Sequence, residues 1–351
     1  MLEMKLDTPE DFVKAVREVF SSDDRGLDAR LHKEAVANAL KFKRDELETL
    51  DLKIINRAMD EFRYAAKTFK PYRGIRKVSM FGSARTPRDD PYYEMAEAFA
   101  KELVEWGFMV ITGAAEGIMR AGNVGAGAEK SFGANILLPF EQGPNEIIAS
   151  DPKLITFRYF FTRKLFFLME AHAVALFPGG FGTHDEGFET LTLLQTGKTP
   201  PMPLVLMELP EEDYWESWDH FIRTQLLSRQ LISPADLSLY RIVHSANEAV
   251  DWIREFYSTY HSMRQVRDTL VLRLEKELTD DHLDELNRTY RDLIGRGSVK
   301  KVGPHAVESD EPDLLSKSRI AFSYNGKSAG RLTEMIVAIN QMGEEVSPPT
   351  R

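Results

Sequence analysis

The stretch AVALFPGGFGTHDEGFE, Ala173–Glu189, joins an apolar run to an acidic, helix-like one through three glycines in four positions. Glycine costs backbone entropy in the folded state, so a loop this bare implies a tight turn or close approach by a ligand. Ala173 to Leu176 form a short apolar run of the kind that makes a fully buried strand, and Thr183 to Thr196 read as a helix. A strand that enters a helix through a glycine loop is the unit of an open α/β sheet. In such a sheet, ligands bind beyond the carboxyl ends of strands, where helix N-termini present free N–H groups.

The flanking sequence repeats this rhythm. KVSMFG, FMVITG, ANILLP, MPLVLMEL and YRIVHS read as further strands. Between and after them come helices in YYEMAEAFAKELVEWG, in GIMRAGNVGAGAEKSFG, from about Arg158 to Ala171, around YWESWDHFIRTQLL and in ANEAVDWIREFYSTYH. Short apolar strands that alternate with helices predict a Rossmann-like, doubly wound parallel sheet over residues 74–262. Residues 1–73 are predicted to be a helical extension. Thr8 is its first N-cap, Pro9 stands at N1, and a long charged amphipathic stretch runs from about Leu27 to Phe69. Residues 263–351 change order to DTLVLRLE, a helix in DDHLDELNRTYRDLI, GSVKKVG, SRIAFSYN and a helix in SAGRLTEMIVAINQM. That βαββα order predicts a small α+β module with a regulatory or oligomeric role. NGKSAG within it is no phosphate loop, because Ala321 occupies the position where the pattern requires its first glycine.

Bulk composition bounds the function. The 351 residues are 43% hydrophobic, enough for a large α/β domain with extensions. Cysteine is absent, which excludes disulfides, thiolate metal sites and a cysteine nucleophile and fits a reducing cytoplasm. The net charge of −10 argues against a nucleic-acid partner and makes the basic residues of FRYFFTRK stand out. KLFFLMEAHAVALF is broken by Glu170 and His172, so no membrane span is expected, and no secretory leader pattern is present.

The guest of the glycine loop is expected to be a phosphate. Gly179, Gly180 and Gly182 bring amides up to an anion, and Thr183 can cap the helix or donate its hydroxyl. A dinucleotide fingerprint fails, since its third glycine would fall on Asp185, so the loop suits a mononucleotide and no nicotinamide or flavin cofactor is expected. Glu186 has two readings. It stands at N3 of a capping box with Thr183 at the N-cap, and it is also well placed to meet the sugar attached to the bound phosphate. Arg163 and Lys164 carry the same ambiguity, a solvated pair at a helix surface or an anion clamp. No histidine or carboxylate cluster has metal-ligand spacing, and His172 and His184 read as structural or surface residues.

PGGFGTHDE resembles the P-G-G-x-G-T-x-x-E signature of the LOG ("lonely guy") family, and the upstream TRK is similar to its R-K motif. FGSARTP, ITGAAEGIMRAGNVGA and NILLPFEQGPN follow the family in order and spacing, so the resemblance covers about Lys77 to Tyr257. Members have long been labelled "possible lysine decarboxylase", and those characterised cleave nucleoside 5′-monophosphates to free base and ribose 5-phosphate. The resemblance implies that Arg163 and Glu186 form the catalytic pair. It places the phosphate on Gly179, Gly180, Gly182 and Thr183 with Lys164 nearby. Gly82, Ser83, Gly117, Ile118 and Met119 would line the nucleotide pocket. It also implies a homodimer or higher homo-oligomer and no cofactor. Where the family carries a glycine run, this chain reads Gly113-Ala114-Ala115-Glu116-Gly117, a change expected to narrow the pocket or alter the base accepted. A lysine decarboxylase would need pyridoxal phosphate on a desolvated lysine, and no lysine is marked for that. The competing class is a non-catalytic nucleotide-binding sensor or carrier on the same fold.

Overall fold

The computed structural model describes residues 8–20, 26–137 and 143–345. The chain divides into two compact units, residues 1–61 and residues 62–351.

The first unit is helical. Helix α1 (Pro9–Val19) starts at the N-cap Thr8, whose hydroxyl accepts the Asp11 amide while the Asp11 side chain returns to the Thr8 amide. Pro9 stands at N1, as expected. The long stretch after it is two helices rather than one, α2 (Leu27–Arg44) and α3 (Thr49–Phe69), the second of which runs on into the next unit. The break follows Asp45, where Glu46 takes a left-handed φ of 53° that no helix can continue through.

The second unit holds a seven-stranded, all-parallel sheet flanked by helices, which is a Rossmann-like α/β fold. In chain order it runs β1 (Lys77–Phe81), α4 (Pro91–Glu105), β2 (Met109–Thr112), α5 (Ile118–Ala126), β3 (Ser131–Ile136), β4 (Leu154–Phe157), α6 (Phe160–Met169), β5 (Ala173–Leu176) and α7 (Phe181–Gln195). It continues through β6 (Leu204–Met207), α8 (Tyr214–Phe221), β7 (Arg241–Val243) and α9 (Ala246–Phe256). All residues of β1, β2, β5 and β6 are buried, which explains their continuous apolar runs. Val78, Met80, Phe99, Leu103 and Ile253 pack on one face, and Phe69, Phe132, Phe166, Leu194 and Trp215 on the other.

The spatial strand order is β4-β3-β2-β1-β5-β6-β7. From β1 the chain winds outward in one direction to β4, then returns to lay β5 on the free side of β1. The helices that follow β1 and β5 therefore pack on opposite faces of the sheet, and the topological switch point lies between β1 and β5.

Two local readings of the sequence need correction here. Strand β4 has no counterpart in the predicted series, because four residues at a sheet edge carry too little periodicity to stand out. The third predicted strand begins earlier, at Ser131, since α5 stops at Gly127 with a φ of 70°. Of that predicted strand, residues 138 and 139 lie outside the described residues.

The C-terminal part has its own four-stranded antiparallel sheet, in the order β10-β11-β9-β8. Its elements are β8 (Tyr260–Val266), β9 (Thr269–Leu274), α10 (Asp280–Thr289), β10 (Lys300–Lys301), β11 (Ser318–Phe322) and α11 (Ala329–Glu345). The order is thus ββαββα. The first two residues of the extra strand β8, Tyr260 and His261, are ones that sequence periodicity assigns to the tail of α9. Asn340 of α11 ends that helix by accepting the Thr259 and Tyr260 amides at 3.0 and 2.7 Å. Leu270, Leu272 and Leu274 of β9 pack with Ile336 and Ile339 of α11.

Candidate functional site

Three loops at the carboxyl ends of β1, β2 and β5 are stitched together by their backbones. The Ser83 amide donates to Pro178 O at 3.1 Å, and the Ile118 amide donates to Ser83 O at 3.1 Å. Gly117, with a φ of 64°, lies so close to the β1 loop that a Cβ would come within 2.2 Å of Ser83 O. Only glycine permits that approach. A cleft of about 820 Å³ opens above this junction, bounded by Gly82, Ser83, Met119, Arg163, the 179–184 loop and Glu186.

Helix α7 begins one residue after Gly180, its N-cap, and no side chain caps it. The predicted capping box is therefore not formed. Thr183 is N3 of the helix rather than its N-cap, and its amide already donates to Gly180 O at 3.0 Å. Because Thr183 does not cap, the first-turn amides of Phe181 and Gly182 have no acceptor within the helix. They carry the positive end of the helix dipole at the cleft. Gly179 is required sterically, since a Cβ there would meet Thr183 Oγ1 at 2.1 Å, whereas Cβ atoms on Gly180 and Gly182 would meet nothing within 4 Å. The latter two leave open space beside the helix terminus.

Arg163 and Lys164 diverge. Arg163 lines the cleft, with its guanidinium 5.0 and 5.4 Å from the Phe160 and Phe167 ring centres. The Lys164 ammonium instead joins three carboxylates of α7, at 2.9 Å from Asp185, 3.4 Å from Glu186 and 2.6 Å from Glu189. Burial alone would depress the Lys164 ammonium, but its hydrogen bonds to Asp185 and Glu189 outweigh that and hold it above its ordinary range. Glu186 is 4% exposed. Burial pushes its carboxyl above the usual carboxylate range; Lys164 and then Arg163 pull it part of the way back, and Glu189 adds to the rise. A buried carboxylate poised in this way beside an anion-ready helix terminus suits charge stabilisation or proton transfer.

The other sequence-predicted residues divide between lining and support. Gly82, Ser83, Met119, Gly179, Gly180, Gly182 and Thr183 line the cleft. Ile118 is fully buried beneath Gly82, where a Cβ would approach its side chain to 2.7 Å, so Ile118 and Gly117 shape the floor from behind. In the altered glycine run, Ala115 reaches the cleft. Ala114 is buried, with a left-handed φ of 60°, and Asn145 donates to its carbonyl. Glu116 turns to Arg88 and Arg120 at 3.7 and 3.8 Å. Of these three residues, Ala115 alone, through its methyl group, lines the cleft, and the Glu116 carboxylate does not.

Arg85, Asn135 and His184 also line the cleft and were not singled out from the sequence as site residues. His184 Nε2 lies 2.7 Å from the Tyr214 hydroxyl, which donates to Gly179 O at 2.5 Å. This bridge ties the glycine loop to α8. No local pattern links His184 to a residue thirty positions away, although the aromatic-rich YWESW is visible in the sequence.

Residues 111–253 match the family model described as "Possible lysine decarboxylase". The match agrees with the resemblance carried by the glycine-loop motif. No curated protein matches the chain. Among solved structures, the molybdenum cofactor carrier protein from Chlamydomonas reinhardtii aligns over 52% of this chain and 97% of its own. Its identity is 16% and its TM-score 0.37. A molybdenum cofactor binding protein from Rippkaea orientalis aligns over 51% and 94%, with 17% identity and a TM-score of 0.35. DNA processing protein A from Helicobacter pylori aligns over 50% and 79%, with 14% identity and a TM-score of 0.34. Likeness at this level carries no argument about ligand or activity. Among the described residues, no helix is long and apolar enough to cross a membrane.

Proposed function

We propose that this protein hydrolyses the N-glycosidic bond of a nucleoside 5′-monophosphate, giving free base and ribose 5-phosphate. One observation carries the reading. The buried carboxylate of Glu186 shares a cleft with Arg163, about one and a half turns into a helix whose uncapped N-terminus is the glycine loop. A binder needs the loop and the helix terminus; it does not need a desolvated carboxylate beside them.

In this reading the 5′-phosphate sits at the Phe181 and Gly182 amides, with Thr183 and Arg163 alongside. This fixes the ribose so that its anomeric carbon faces Glu186. As the C1′–N bond lengthens, positive charge builds on the ribose, and the ionised Glu186 stabilises that charge more than the ground state. Glu186 accepts a proton from the attacking water, whose oxygen bonds to C1′. The C1′–N pair leaves with the base, which takes up a proton. Lys164 keeps Glu186 ionised from behind. No cofactor enters these steps.

The reading extends to a homodimer in the cytoplasm. Its support is an apolar stripe on α6, where Phe161, Leu165 and Met169 are spaced four apart and are 56%, 39% and 50% exposed. Contiguous exposed apolar surface of this kind commonly marks an interaction face.

The test is a chromatographic assay of the purified chain with AMP, GMP, CMP and UMP separately, beside Glu186→Ala. Free base from the native protein and none from the variant is expected. Nucleotide bound without release of base from any of the four would leave a sensor or carrier in place of the enzyme.

A further inference from the structure

A second cleft, of about 470 Å³, lies where the turn 234–239, β7 and α9 meet α11 and Tyr290 of the C-terminal part. Clefts at such junctions are common ligand sites. Its apolar wall is built from Tyr240, Trp252, Val337 and Ala338. Two charged groups border the same space. Arg241 holds its guanidinium 4.6 Å from the centre of the Trp252 ring, and its carboxylate partner Glu248 is 3.8 Å away with both side chains well exposed. Such a pair is weak and exchanges readily. Glu334, on α11, accepts the Ser238 hydroxyl at 2.7 Å on one carboxylate oxygen and the Arg331 guanidinium on the other, and each oxygen keeps a lone pair for a further donor. One cation and one anion beside an aromatic, aliphatic wall complement a zwitterion with a flat apolar side chain. Its carboxylate would take the guanidinium fork, its ammonium Glu334, and its ring the Trp252 wall.

A run of contacts leads from this cleft to α7. Gly330 at the start of α11 is seated so closely on the turn 234–239 that a Cβ would lie 1.9 Å from Ala235 O. From the same turn, Asp236 accepts the Gln195 side chain at 2.8 Å. Gln195 is the last residue of α7, the helix that carries Thr183 and Glu186.

We propose that this cleft is a regulatory site for a free α-amino acid with an aromatic side chain, coupled to the nucleotide cleft through the turn 234–239 and α7. The proposal goes beyond the hydrolase reading and stands without it.

The test is calorimetric titration of the full chain with L-phenylalanine, phenylacetate and phenethylamine, followed by hydrogen exchange of α7 with and without phenylalanine. Phenylalanine should bind at one site with a Kd below about 1 mM, and each analogue, lacking one charge, at least ~10-fold more weakly. Arg241→Met and Glu334→Gln should each weaken phenylalanine binding by a similar factor. Ala338→Phe, which fills the cleft, should abolish binding with Tm retained. Saturation should raise amide protection over residues 181–195. Absence of saturable heat from the native chain up to about 10 mM phenylalanine, far above the expected Kd, overturns the site. So does binding that persists in a folded Ala338→Phe protein. Binding that leaves α7 exchange unchanged overturns the coupling. None of these readouts depends on hydrolysis.

Discussion

Replacing Lys164 by Met separates two roles for this residue, because sequence and structure place it differently. The motif resemblance implies that Lys164 lies near the phosphate; the structure sets its ammonium among three carboxylates, 3.4 Å from Glu186. At that distance and an effective dielectric of about 20, the attraction is about 5 kcal/mol. Water would enter the vacated space, and Asp185, 64% exposed, would swing away, so only about a third to a half of that is felt by Glu186. A net loss of about 1.4–2.7 kcal/mol raises the Glu186 pKa by about 1–2 units. Glu186 already titrates above the usual carboxylate range, so the acid limb of kcat/KM should move further toward neutrality in Lys164→Met. Activity should fall about 10- to 100-fold on that limb and much less at alkaline pH. Lys164→Arg should restore most of it. The assay is the pH profile of base release from AMP for the three proteins. An unshifted acid limb, with KM for AMP raised equally at every pH, would refute the argument and return Lys164 to the phosphate.

Other consequences are testable in the same preparation. Glu186→Gln should abolish turnover and leave AMP affinity within a few-fold. The folded pKa of Glu186 is raised, so its ionisation opposes folding as pH rises through that value, and the variant's Tm at pH 8 should equal or exceed that of the native protein. His172 and His261 are driven down to about 3 and about 4, chiefly by burial and then by Arg76. Both remain neutral in the fold but protonate in the unfolded chain below about pH 6.5, so stability should fall as pH drops from there toward 4, with a shallower slope in His172→Gln. Gly179→Ala and Gly180→Ala should part company in thermal melts and in titrations with AMP. The first forces a Cβ to 2.1 Å from Thr183 Oγ1 and should lower both Tm and AMP affinity. The second places a methyl in open space beside the helix terminus and should keep Tm while weakening AMP.

The sequence by itself determined the Rossmann-like class, because buried parallel strands must be nearly all apolar and the helices between them carry caps and periodicity that need no partner. It determined the glycine loop for the same reason, since a bare turn at a strand's end is a local property. Arg163, Glu186, Gly179 and Thr183 were legible there, and the structure gathers all four at one cleft. Only the tertiary structure decided what each one touches. Local spacing made Thr183 and Glu186 a capping box, but α7 starts earlier, at Phe181, and frees both. Arg163 and Lys164 are neighbours in sequence whose charges part, one to the cleft and one to Asp185, Glu186 and Glu189, because successive residues on a helix point about 100° apart. The His184–Tyr214–Gly179 bridge and strand β4 lie beyond local pattern. Their partners stand some twenty to thirty-five residues away in the chain, and no short window of sequence contains both ends of such a contact.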